Sequence, residues 1–260
     1  MSDYEFILFE VDQGVATLTL NRPQALNALT FEMMAEVRQA MARVEADRDI
    51  RALIFTAAGR GFCSGQDLKN RPPEGADIVE MYCDTYLGVF NDIRHCRVPV
   101  IIAVNGTAAG GGFSLALSGD IIMAARSTKF IQVFSRIGLI PDLGSTWLLP
   151  RAIGRTRALK LMMTNEPILA DQAMEWGMLA DVVDDDQLLP QARELAAKLA
   201  KGPTLALLET RKMVDEGNDN DFAAQFRREL EVNSVMRDTF DGKEGVNAFL
   251  EKRATSFRGE

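Results

Sequence analysis

Asn105-Gly106-Thr107-Ala108-Ala109-Gly110-Gly111-Gly112-Phe113 is built almost wholly of small residues, and it directly follows an apolar run at 98–104. The run is short and rich in Val and Ile, which predicts a buried strand, and Phe113 onward predicts the start of a helix. A strand that feeds a glycine-rich turn and then a helix leaves several backbone N–H groups unpaired where no side chain blocks a ligand. The same order stands one unit earlier. Residues 52–56 predict a strand, Gly59-Arg60-Gly61-Phe62-Cys63-Ser64-Gly65-Gln66-Asp67-Leu68 a second glycine-rich loop, and about 78–93 a helix. Two such units in tandem predict an α/β core in which they stack.

Working outward, two short apolar runs at 6–11 and 15–20 flank Asp12-Gln13-Gly14 and predict a β-hairpin. Thr30 is a good N-cap, and Met33, Met34, Val37, Met41 and Val44 recur at helical spacing behind it. Beyond the glycine triplet, strands are predicted at 120–125 and 130–133, then a loop with Pro141 and a helical region at 147–153. From Gln187 nearly everything reads helical, including 203–216, 221–237 and 243–253. The expected organisation is an α/β core over 1–185 and a helical C-terminal part over 186–260, with no Ser/Pro-rich linker between them.

Bulk properties narrow the function. The chain has 260 residues, 47% hydrophobic and 25% charged, which are globular proportions, and no apolar run reaches the ~20 residues of a bilayer span. No membrane association is expected. Twenty-nine Lys+Arg stand against 37 Asp+Glu, a net charge of -8, and no basic run interleaves with aromatics, so nucleic acid is not an expected partner. Met1-Ser2-Asp3-Tyr4-Glu5 is acidic and lacks the basic and apolar regions of a secretory signal, which points to the cytoplasm. Cys63, Cys83 and Cys96 show no metal-ligand spacing, so neither a disulfide framework nor a metal is expected.

Backbone amides at a glycine-lined helix entrance make a good oxyanion hole. Aimed at a thioester oxygen, they stabilise the enolate formed when a proton leaves the neighbouring carbon, with help from the helix dipole. Neither loop has the Lys-Ser/Thr ending of a P-loop or the spacing of a dinucleotide fingerprint.

Five separated stretches together cover nearly the whole chain: Leu20-Asn21-Arg22-Pro23 with Leu26-Asn27-Ala28-Leu29; Phe62-Cys63-Ser64-Gly65-Gln66-Asp67-Leu68; Asn105-Gly106 with Ala109-Gly110-Gly111-Gly112; Gly138-Leu139-Ile140-Pro141; and Glu244-Gly245 with Ala248-Phe249-Leu250-Glu251-Lys252-Arg253. In this order they resemble the enoyl-CoA hydratase/isomerase (crotonase) superfamily. The resemblance implies a crotonase-like spiral of repeated ββα units with a helical trimerisation part, assembled as a homo-trimer or hexamer. It implies an acyl-CoA thioester as ligand, with coenzyme A as part of the substrate and no permanently bound cofactor. It assigns the oxyanion amides to Gln66 and Gly111. Gln24, Ala25 and Leu26, with Ser64, Gly65, Asp67 and Leu68, would line the coenzyme A pocket beside Gly110, and Phe249 and Lys252 match positions that reach the cofactor from a neighbouring subunit.

Hydratases of the superfamily hold a water between two glutamates, and the matching positions here are Ser114 and Phe134, neither able to act as an acid or base. Phe134 is instead expected near the acyl group. A carboxylate stands at Asp142, where isomerases of the superfamily place an aspartate. Flanked by Ile140 and Leu143, with Trp147 close in sequence, it is expected to be partly desolvated and raised in pKa, as suits a base. The segment around Ile140-Pro141-Asp142 resembles the isomerase group that acts on ring-1,2-epoxyphenylacetyl-CoA or shifts 3-enoyl-CoA to 2-enoyl-CoA. Enoyl-CoA hydration and non-catalytic acyl-CoA binding are the alternatives. A serine hydrolase using Ser114 and the single histidine, His95, and a Cys63 nucleophile, fit the pattern less well, because the nucleophile-elbow glycine is missing and no base is identifiable beside Cys63.

Overall fold

A computed structural model describes residues 4–260, so the opening Met1-Ser2-Asp3 of the N-terminal reading and of the 1–185 core lies outside the described residues. Strands β1 (Ile7–Asp12) and β2 (Val15–Leu20) pair antiparallel. Gln13 and Gly14 both take positive φ, the backbone whose twist matches that of the flanking strands in a two-residue hairpin. Thr30 caps helix α1 (Phe31–Ala46), its hydroxyl accepting from the Met33 N–H at 3.2 Å, and the predicted Met33, Met34, Val37, Met41 and Val44 stripe is buried.

The repeating unit then becomes visible. Strand β3 (Ala52–Ala57) joins a six-stranded sheet and β4 (Gly61–Cys63) a four-stranded one; α2 (Ile78–Tyr82), a π-turn at Cys83–Leu87 and α3 (Gly88–Arg94) follow as one helical run. β5 (Val100–Val104), β6 (Thr107–Ala109) and α4 (Gly111–Ala116) repeat that order. β7 (Ile121–Ala125), β8 (Lys129–Ile131), α5 (Ser145–Ile153) and α6 (Arg155–Thr164) repeat it again, before β9 (Ile168–Leu169), α7 (Ala170–Glu175) and β10 (Asp181–Val183). The large sheet runs β1-β2-β3-β5-β7-β10 and the small one β4-β6-β8-β9, so each unit gives one strand to each. This is the spiral of ββα units. β4 and β6 lie within the two glycine-rich loops, and three-residue strands of small residues carry no periodicity by which a sequence could reveal them.

Strands from β2 to β10 are parallel neighbours in the large sheet, and the central β3 and β5 are buried along their whole length, which explains their nearly continuous apolar character. Leu53, Phe55, Val100 and Ile102 face the main core, while Ala52, Ile54, Ile101 and Ala103 face α8 (Leu188–Ala200). Leu188, Ala192, Ala196 and Ala200 recur every fourth residue on that helix, and the alanines let it lie close to the sheet. α9 (Thr204–Glu216) is tied to the core by Arg211, which donates to the carbonyls of Arg94, Cys96 and Val98 and pairs with Asp120 at 2.7 Å. α10 (Phe222–Asp238) buries no residue within the chain, and α11 (Phe240–Glu251) packs against it. Among the described residues no helix is long and apolar enough to cross a membrane.

Candidate active site

The two glycine loops are held together by groups that the sequence places far apart. Asn27 is fully buried; its amide nitrogen donates to the carbonyls of Ala58 at 2.8 Å and Gly61 at 2.9 Å, and its oxygen accepts from the Arg22 N–H. Arg22 in turn donates to the Ala28 carbonyl and pairs with Asp67 at 3.0 Å. The Lys69 N–H and then Arg22 hold the Asp67 carboxyl below its usual range. Asp67 is thus a brace for loop one. Asn105 donates to the Gly59 carbonyl at 2.9 Å and joins the loops directly. Where they touch, side chains are excluded: a Cβ at Gly106 would stand 2.3 Å from the Arg60 carbonyl oxygen, and one at Gly112 2.3 Å from that of Cys63.

This packing brings two amides close together. The Leu29 N–H donates to the Gly65 carbonyl and the Asp67 N–H to the Leu29 carbonyl, so Gln66, between them in this parallel bridge, directs its own N–H the other way. Gly111 is the first residue of α4, and its N–H has no partner within the helix. A Cβ on Gly111 would lie 3.9 Å from the Gln66 nitrogen. Gly65, with φ +96, could carry no side chain without striking the Ala109 carbonyl at 2.9 Å. Two adjacent unengaged amides are what an oxyanion hole requires.

A cleft of about 680 Å³ opens in front of Gln66. The helical run at 78–94 supplies one wall, with Ile78, Val79, Tyr82, Leu87 and Phe90; Leu139, Leu143, Trp147 and Leu148 supply the other. Asp142 is the one carboxylate lining this cleft and Arg94 the one cation. The surrounding apolar groups keep water from the Asp142 carboxyl and raise its pKa above the ordinary aspartate value. Its backbone is fixed, because its carbonyl accepts from the Ser145 N–H at 3.0 Å and the Ser114 hydroxyl at 3.1 Å. Leu143 next to it has φ +47, a left-handed conformation that costs a non-glycine residue about 1–3 kcal/mol and is typical of functional sites.

Gln66, Gly111 and Asp142 are therefore brought together, with Gly65 and Gly110 packed behind them. Gln24, Ala25 and Leu26 form a turn beside loop one, where the Ser64 N–H donates to the Leu26 carbonyl at 3.0 Å; with exposed Leu68 they form a neighbouring surface and do not line this cleft. Phe134 is buried, its ring beside Gly110, and is not a lining residue. Phe249 and Lys252 are exposed at the end of α11 and do not line the cleft of their own chain. Sequence reasoning missed Tyr82 and the rest of the 78–94 wall, whose signal was helical spacing, and it missed the Ser114 bond to Asp142.

Other chemistries lose their geometry. Ser114 is fully buried and committed to the Asp142 carbonyl, while His95 is exposed with Nδ1 at 3.1 Å from the Asn91 carbonyl, so no serine–histidine pair forms. Burial pushes the Cys63 thiol up to about 12, which leaves it a poor nucleophile. No group of potential metal ligands occurs among the described residues.

The sequence matches the family described as Enoyl-CoA hydratase/isomerase over residues 10–260. It is 45% identical to a 1,2-epoxyphenylacetyl-CoA isomerase of Escherichia coli (strain K12), over 98% of this chain and 99% of the relative. It is 37% identical to an (E)-benzylidenesuccinyl-CoA hydratase of Thauera aromatica, over 97% and 99%. A crystal structure of an enoyl-CoA hydratase from Bacillus anthracis superposes with a TM-score of 0.92 at 30% identity, covering 98% of this chain and all (100%) of that one.

Proposed function

Because the chain belongs to the enoyl-CoA hydratase/isomerase family, we propose that it is an acyl-CoA isomerase working through an enolate, with Asp142 moving the proton. The observation that carries this reading is a lone carboxylate lining the same cleft as Gln66, whose unengaged amide has that of Gly111 adjacent to it. The Gln66 and Gly111 amides would hold the thioester oxygen as it gains charge, and Asp142 would remove a proton at one carbon and return it at another. The substrate is ring-1,2-epoxyphenylacetyl-CoA, in keeping with the Escherichia coli relative, or a 3-enoyl-CoA. Hydration is the second reading, favoured by the hydratase from Thauera aromatica. Against it, water addition also needs water activated, and the glutamate positions hold Ser114 and buried Phe134.

The test is C2-deuterium exchange of a 3-enoyl-CoA in wild type and Asp142→Asn. Loss of a general base is expected to slow exchange by about 10²–10⁴ while acyl-CoA binding persists. Undiminished exchange would assign the proton to another residue.

The same reading lays coenzyme A along Gln24, Ala25, Leu26 and Ser64 to Leu68, and takes Phe249 and Lys252 from a neighbouring copy in a homo-trimer or hexamer. The exposed Phe222, Phe226, Leu230 and Val235 of α10 support assembly, since a monomer would leave them in water. Light scattering should report three or six copies. A monomer at micromolar concentration would remove both the assembly and the shared site.

A further inference from the structure

One hydroxyl in the cleft is used neither by the paired amides nor by Asp142. Tyr82 closes α2 just before the π-turn, and its ring is fixed edge-on to Phe31, with centroids 5.8 Å apart, and tilted against Tyr86 at 5.1 Å. The Gln66 side-chain nitrogen donates to the Tyr82 oxygen. A phenol has one proton to give, and that bond leaves it unspent; no described residue accepts it. No serine or threonine lines the cleft, so this is its only side-chain hydroxyl.

Position says what the proton is for. The Tyr82 oxygen stands one glutamine side chain away from the Gln66 amide and lines the same cleft, where the proposed geometry lays the part of the acyl group that follows the thioester. The thioester oxygen already has two donors in the proposed geometry, so a third in an apolar wall serves a second oxygen. We infer that Tyr82 determines specificity by donating a hydrogen bond to an oxygen carried on the acyl group itself, favouring oxygen-bearing ring acyl thioesters over plain hydrocarbon ones. This rests on the acyl-CoA reading of the cleft. The aromatic rings of Tyr82 and Phe90 on the helical wall suit a ring.

Calorimetry with phenylacetyl-CoA and 2-methoxyphenylacetyl-CoA tests the inference without turnover, since the methoxy oxygen can only accept. Tyr82→Phe keeps the ring and its packing, so it should shift the binding ratio about tenfold toward phenylacetyl-CoA, the size of one lost hydrogen bond. Equal weakening of both ligands would reduce Tyr82 to a support for Gln66 and overturn the inference, as would an unchanged ratio. If the wild type bound neither ligand, the acyl-CoA reading itself would fail and take this one with it. If it bound both and the ratio survived the substitution, only the role of Tyr82 would fall.

Discussion

The glycine loops at 59–68 and 105–113, which pack together and reach the cleft through Gln66, and the helical run at 78–94, which walls it, tolerate change very differently. In the loops a single added carbon would strike backbone: 2.3 Å at Gly106, 2.3 Å at Gly112 and 2.9 Å at Gly65. Across the cleft, Ile78, Val79 and Leu87 are exposed, and Gly75 just before them has nothing within 4 Å of its absent Cβ. The loops hold amides by steric necessity. The helical wall offers apolar surface that many side chains could supply, so oxyanion stabilisation belongs to the first region and acyl-group selection to the second.

The largest expected effect tests that contrast head-on. Gly112→Ala would set its Cβ 2.3 Å from the Cys63 carbonyl oxygen, a backbone atom that cannot rotate aside, so α4 must shift and carry the Gly111 amide with it. Turnover should fall by about 10²–10³, the cost of one misplaced oxyanion donor, and the melting temperature should drop. Gly75→Ala is the matched control. Its φ of +79 predicts a stability loss of about 1 kcal/mol, but in open space it should leave turnover near wild type. Similar losses of turnover in the two variants would erase the distinction.

This contrast also explains what could be read from the sequence. The loop glycines were legible because close backbone contact admits no other residue, and the stripe from Met33 to Val44 because burial enforces its spacing. The wall at 78–94 was not, because helical periodicity reveals an apolar face without revealing what it faces. A π-turn at Cys83–Leu87 further displaces the register. Asp142 was singled out by resemblance alone, since a carboxylate after proline usually marks a turn. The Ser114 bond to its carbonyl spans 28 positions and has no local signal.

An intermediate effect should come from the apolar wall opposite the helical run. Leu139 is 55% exposed in the free protein and lines the cleft, so an acyl group would cover surface that is now wet. Leu139→Ala should raise KM by roughly 3- to 10-fold with kcat nearly unchanged, because the lost contact is made equally to substrate and transition state. Steady-state kinetics with a 3-enoyl-CoA separates the two. A fall in kcat at constant KM would place Leu139 with the catalytic loops.

The smallest effect is a stability change at Asp142, in the cleft that Gln66 and the helical run also line. Desolvation raises its carboxyl above the ordinary 3.8, so the folded chain holds that proton more tightly than the unfolded chain does. The sign follows: its contribution is most favourable below pH 3.8 and is lost as pH rises through the raised value, above which an ionised carboxylate is carried against apolar walls. Asp142→Asn should therefore melt at a higher temperature than wild type near neutral pH, and the gain should vanish below about pH 3.8. Turnover of the wild type should rise with pH through that same raised value, since only the ionised form accepts a proton. Leu139→Ser, by admitting water, should lower the midpoint of that rise. Thermal melts of Asp142→Asn from pH 3 to pH 8 decide the matter: a variant less stable than wild type at neutral pH would mean that the carboxylate is stabilised by its neighbours, and that the apolar wall does not tune the base.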